Sequence, residues 1–99
     1  MFFGAYRFSG SVADLVPAYD RLLAGMPSNA ISLHVCVVED DAITIFDACP
    51  TRAVFMEFSS GPAFAAAVAA AGLPAPAVTP LGIVHTARHG DTVISEAGR

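Results

Sequence analysis

Lysine is absent from this sequence, and five arginines stand against nine acidic residues for a formal net charge of −4. Phosphate binding needs a basic face, so the balance argues against a nucleic-acid partner. Charge of either sign is scarce: 14% of residues are charged while 55% are apolar. A single domain of 99 residues buries a limited fraction of its surface. Large exposed apolar patches are unusual on monomers, so the surplus points to a subunit interface and a homodimer. Long hydrophobic runs are missing too. The alanine-rich run 64–71 is too short to span a bilayer, so no membrane role is expected. The opening Met1-Phe2-Phe3 lacks the basic start of a signal peptide, and the expected location is cytoplasmic.

Only two cysteines occur, and both fall in the stretch around which the chain is organised, ISLHVCVVEDDAITIFDACP at 31–50. Two arms rich in Val, Ile and Phe flank the acidic turn Glu39-Asp40-Asp41, which predicts a β-hairpin. A two-residue loop at Asp40-Asp41 sets Val38 opposite Ile43, Cys36 opposite Ile45, His34 opposite Asp47 and Ser32 opposite Cys49. Directly opposed side chains have Cβ atoms about 4.5–5.5 Å apart, so His34 and Asp47 are expected to pair. Burying either alone would be unfavourable, which is a reason for the two to occur together. Cys36 and Cys49 lie four residues apart along the ladder, roughly 13 Å. A disulfide needs Cα atoms within about 7 Å, so both thiols are expected free.

The remaining chain reads as alternating elements. Residues 2–9 form a first strand. Ser11 offers an N-cap with Asp14 as an imperfect capping box. Val12, Leu15, Val16, Tyr19, Leu22, Leu23 and Met26 make one helical apolar stripe. Pro17 either kinks this helix or marks its regular start, and Gly25 and Pro27 stop it. After the hairpin, Pro50 and Thr51 open a second helical region with Val54, Phe55 and Phe58 inside. Ser59-Ser60-Gly61-Pro62 interrupts it, and a further segment runs to Gly72. Residues 73–80 read as a stiff proline-rich connection and 81–87 as the last strand. Residues 1–89 are thus one domain, and 90–99 a polar, frayed tail in which Thr92, Val93 and Ile94 could add a short swapped strand. The order β-α-β-β-α-β predicts an α+β, ferredoxin-like fold with an antiparallel four-stranded sheet in the order 4-1-3-2. Leu33, Val35, Phe46 and Ala48 give the face without helices an apolar character that a second sheet would cover.

These features resemble the dimeric α+β-barrel superfamily, which includes antibiotic-biosynthesis monooxygenases, muconolactone isomerases, small polyketide cyclases and haem-degrading enzymes. The chain is similar to small, largely uncharacterised actinobacterial barrel proteins of that kind. Ala18-Tyr19-Asp20, Leu33-His34-Val35, Phe46-Asp47-Ala48-Cys49-Pro50-Thr51, Phe55, Phe58, Gly72-Leu73-Pro74 and Val84-His85 carry the resemblance. It implies a dimeric barrel with a small-molecule cavity.

The topology brings His34, Asp47 and His85 to one end of the sheet, with room for one small ligand between His85 and the pair. Read as chemistry, His34 is a general base or acid, Asp47 fixes its tautomer, and His85 is a second donor. Read as structure, the pair is a satisfied polar contact and His85 a half-exposed strand residue. A zinc site from His34, Cys36, Asp47 and Cys49 would use suitable ligand types, but they spread along the ladder without CxxC spacing. No metal is expected. Gly61 belongs to no phosphate-loop pattern, and no cofactor is expected. Two classes of function follow. One is an enzyme that abstracts a proton from a hydrophobic small molecule, as a cofactor-free monooxygenase, isomerase or cyclase. The other is a non-catalytic ligand-binding or structural dimer.

Overall fold

A computed structural model describes residues 1–26 and 33–96. The elements are β1 (Phe2–Ser9), α1 (Val12–Ala24), β2 (His34–Val38), β3 (Ala42–Cys49), α2 (Arg52–Ser59), α3 (Pro62–Ala71), β4 (Ala77–Ile83), β5 (Thr86–His89) and β6 (Thr92–Glu96). Strands β2-β3-β1-β4 form an antiparallel sheet in that order, and β5 and β6 pair separately. The four-stranded sheet and its helices are consistent with the ferredoxin-like arrangement expected from the sequence.

The helix boundaries follow local chemistry. Thr51 accepts a hydrogen bond from the Val54 amide at 3.2 Å and caps α2. Pro62 opens α3, and Gly72 closes it in the left-handed region at φ 86°, where a side chain would be strained. Arg21, near the end of α1, donates to the Ala71 carbonyl from Nε at 3.2 Å and Nη2 at 3.0 Å. That contact ties the ends of α1 and α3 together and satisfies a carbonyl the helix cannot. One detail of α1 differs from expectation, and another settles only that Pro17 does not open the helix. Ser11 makes no side-chain cap bond. Pro17 sits within a continuous helix, where it withholds an amide from the Ala13 carbonyl.

One face of the sheet is covered. Phe2, Tyr6 and Phe8 of β1 and Ile43 and Ile45 of β3 pack with Leu15, Ala18 and Tyr19 of α1, Phe55 of α2 and Val68 and Ala71 of α3. Phe55 is fully buried against Phe2 and Tyr6, with ring centroids 5.5 Å away in each case. The opposite face carries Phe3 stacked on Phe46, with Val35 and Val37 largely exposed.

The last third departs from the sequence reading. β4 begins at Ala77, inside the stretch read as a connection, and ends at Ile83. Pro80 is tolerated because β4 is an edge strand. The extra residue Leu81 falls at a register shift between Phe3 and Gly4. The chain then turns into the β5–β6 hairpin, in which Thr92–Glu96 pairs with Thr86–His89. The expected pairing of Ser32 with Cys49 and the stop at Pro27 lie outside the described residues.

Candidate functional site

The β2–β3 register is the one expected: His34 opposite Asp47, Cys36 opposite Ile45 and Val38 opposite Ile43. The Glu39 amide donates to the Ala42 carbonyl at 2.8 Å across the Asp40-Asp41 turn. Asp47 also pairs with Gly4 of β1, so its side chain rises on the helix-covered face beside Tyr6. His34 Nδ1 lies 2.5 Å from Asp47 Oδ1. An ionised carboxylate only accepts, so Nδ1 carries the proton. With the proton on Nδ1, a ring carrying no second proton accepts at Nε2 from the Tyr19 hydroxyl, 2.6 Å away. The Tyr19 and His34 rings lie nearly parallel, 11° apart. Asp47, His34 and Tyr19 therefore form a continuous hydrogen-bonded chain from β3 through β2 to α1. From the sequence, Tyr19 belongs to the apolar stripe of α1 and to the stretch that carries the resemblance, with no sign of a polar partner.

His34 and Asp47 line a cavity of about 240 Å³ whose other walls are almost wholly apolar, including Phe8, Leu22, Ile45, Phe64 and Ala67. A smaller cavity of about 140 Å³ reaches Cys49 and Val54 and shares Tyr6, Met26, Asp47 and Phe58 with the first. The larger one exceeds the roughly 150 Å³ that accepts a benzene ring.

His85 is placed elsewhere. It lies beyond the end of β4, is exposed, and lines a wide recess with Phe3, Leu33 and residues 81–87. The physical reason is the early start of β4, which carries its end past the sheet before residue 85. The structure thus brings His34 and Asp47 together and leaves His85 out of their cavity.

Burial governs the titratable groups. It lifts the Asp47 carboxyl above its ordinary 3.8, and the neighbouring His34 offsets part of that rise. Burial also raises the Tyr19 phenol, with Cys36, Asp47 and Asp20 adding to it. Cys36 and Cys49 are both free. Burial raises both thiols, helped by Asp20 and Asp47 respectively. Protonated thiols are poor nucleophiles and poor ligands. No cluster of three or more His, Cys, Asp or Glu that could hold a metal occurs among the described residues.

The Asp47 shift fixes a pH dependence. The folded protein holds the carboxyl proton to higher pH than the unfolded chain does. Its contribution to stability is therefore full below the unfolded pKa and is lost as pH rises through the folded one. Glu39 has the opposite sign, because its hydrogen bond from Thr44 lowers its pKa. Asp47→Asn should remove the loss of stability on going upward from about pH 4 and leave the Glu39 slope intact. Urea unfolding of both proteins across the acid range reads this. Parallel curves would mean that Asp47 titrates as it does in the unfolded chain.

No protein-family model, no curated protein and no solved structure matches this chain.

Proposed function

We propose that the protein binds an apolar small molecule in the cavity beside His34, and that the Asp47–His34–Tyr19 chain handles a proton there without a cofactor. The observation that carries this reading is a hydrogen-bonded Asp47–His34–Tyr19 chain whose Asp47 and His34 reach the wall of a largely apolar cavity. Buried polar groups of this kind mark sites that need a held tautomer. In the family the sequence resembles, the chemistry would be cofactor-free oxygenation, isomerisation or cyclisation. His85 belongs to the separate recess and takes no part in this step.

We also propose a homodimeric α+β barrel, closed through the sheet face that carries Phe3, Val35, Val37 and Phe46. The exposure of Val35 and Val37 beside the half-buried Phe3–Phe46 stack supports it. Light scattering at micromolar concentration should give twice the 10.2 kDa chain mass. A cytoplasmic location suits the two unpaired thiols. No single helix among the described residues is long and apolar enough to cross a membrane.

A second reading is favoured by one detail. Both ring nitrogens of His34 are already engaged, as expected of a purely structural or ligand-binding dimer. Two probes separate the readings. Tetralin, a bicyclic hydrocarbon, should give saturable NMR shifts at Leu22, Ile45, Phe64 and Ala67, and Ala67→Phe should abolish them by filling the cavity. For proton transfer, 1-tetralone in deuterium oxide should exchange its C2 hydrogens faster with protein than in buffer. A base takes the C2 proton, the bond pair becomes the enolate double bond, and a deuteron returns. His34→Ala should return exchange to the buffer rate. Tetralin binding without any acceleration of exchange would leave the non-catalytic dimer.

A further inference from the structure

Tyr6 is the feature the hydrogen-bonded chain does not use. It is 2% exposed, and its hydroxyl is the one buried side-chain polar atom without a hydrogen-bond partner among the described residues. It lines both the larger and the smaller cavity, at the seam where they share Asp47, Met26 and Phe58. An unpaired buried hydroxyl is destabilising and calls for a partner, and this one faces two cavities that could supply it. The phenol is held neutral: burial raises its pKa first, and the charges of Asp47 and Cys49 add to it. A neutral phenol beside a carboxylate has a proton to give, and the site rejects added negative charge.

Resting on the cavity reading above, we infer that the ligand is an uncharged, largely apolar molecule bearing a carbonyl oxygen, and that the Tyr6 hydroxyl donates to that oxygen. The rest of the ligand fills the apolar wall of Leu22, Ile45 and Phe64. A carbonyl asks only for a donor, which is what Tyr6 offers. A carboxylate would meet Asp47 and be repelled. Tyr6 is then the residue that sets ligand class, while His34, Asp47 and Tyr19 form the array next to it.

The test compares 1-tetralone, tetralin and 1-naphthoate on the wild type and on Tyr6→Phe. Removal of one hydroxyl should cut the affinity for 1-tetralone relative to tetralin about five- to tenfold, the worth of one hydrogen bond. Tetralin affinity should be unchanged. The infrared C=O stretch of bound 1-tetralone should sit lower in the wild type than in Tyr6→Phe, and 1-naphthoate should not compete. Without ligand, Tyr6→Phe should melt at or above the wild-type temperature, because it removes an unpaired group. An unchanged tetralone-to-tetralin ratio, with both still binding, would overturn the role of Tyr6 and leave the cavity reading standing. Failure of all three probes to bind the wild type would instead overturn the cavity reading on which this inference rests. A lower melting temperature for Tyr6→Phe would show the hydroxyl already satisfied, and would overturn the inference independently.

Discussion

Phe55→Ala is expected to lower the unfolding free energy by about 3–5 kcal/mol, the range for deleting a buried aromatic ring. Phe55 is completely buried, and its ring lies between Phe2 and Tyr6 of β1. It sits directly over Gly4, so the backbone of β1 has no side chain of its own there to fill the space. Removing the ring leaves a cavity bounded by a glycine and by aromatic rings fixed on a paired strand. Such a site collapses poorly, which places the expected loss toward the upper end. The effect should reach the candidate site, because Tyr6 packs against both Phe55 and Phe64 and loses the first of them. Urea unfolding gives the free energy. Tetralin binding measured well below the transition should weaken as well. A loss under about 1 kcal/mol would mean that α2 does not pack on β1 as described.

The hairpin and its His34–Asp47 pair are legible in the sequence because both rest on a strict period. Alternation of two along each arm and a two-residue acidic turn leave one register. The third member of the chain could not be read that way. Tyr19 falls on the apolar stripe of α1, and its ring is buried as that stripe predicts. Nothing local tells that its hydroxyl meets a strand residue fifteen positions on. Tyrosine is amphipathic, and only tertiary packing decides where its polar tip goes. His85 was displaced for a different reason. The prolines at 74, 76 and 80 suggest a connection, and Pro80 argues against a central strand. An edge strand tolerates it, so β4 starts early and residue 85 overshoots. Tyr6 shares the parity of Phe2 and Phe8 on β1, so its burial follows from strand alternation, whereas its unpaired hydroxyl has no sequence signal.

Gly4→Ala should lower the unfolding free energy by about 1–3 kcal/mol, and by more if the ring cannot move. Within a strand, glycine is ordinarily a weakness that alanine would relieve, so propensity alone predicts the opposite sign. Close approach reverses it. A methyl group on Gly4 would lie 2.0 Å from Cε2, 2.2 Å from Cζ and 2.7 Å from Cδ2 of Phe55. The ring cannot swing aside freely, because Phe2 and Tyr6 flank it and none of its surface is exposed. Either α2 lifts from the sheet or β1 yields. A shift of β1 would be felt across the ladder at Asp47, which pairs with Gly4. The clash makes a specific double-mutant prediction. Phe55→Leu shortens the side chain and vacates the space that the new methyl needs. Phe55→Leu should therefore be less harmful in the Gly4→Ala background than in the wild type, with a coupling of about 1 kcal/mol or more. Additive losses across the four proteins would show that Gly4 and Phe55 are not in contact, and that glycine at this position answers to something other than the ring above it.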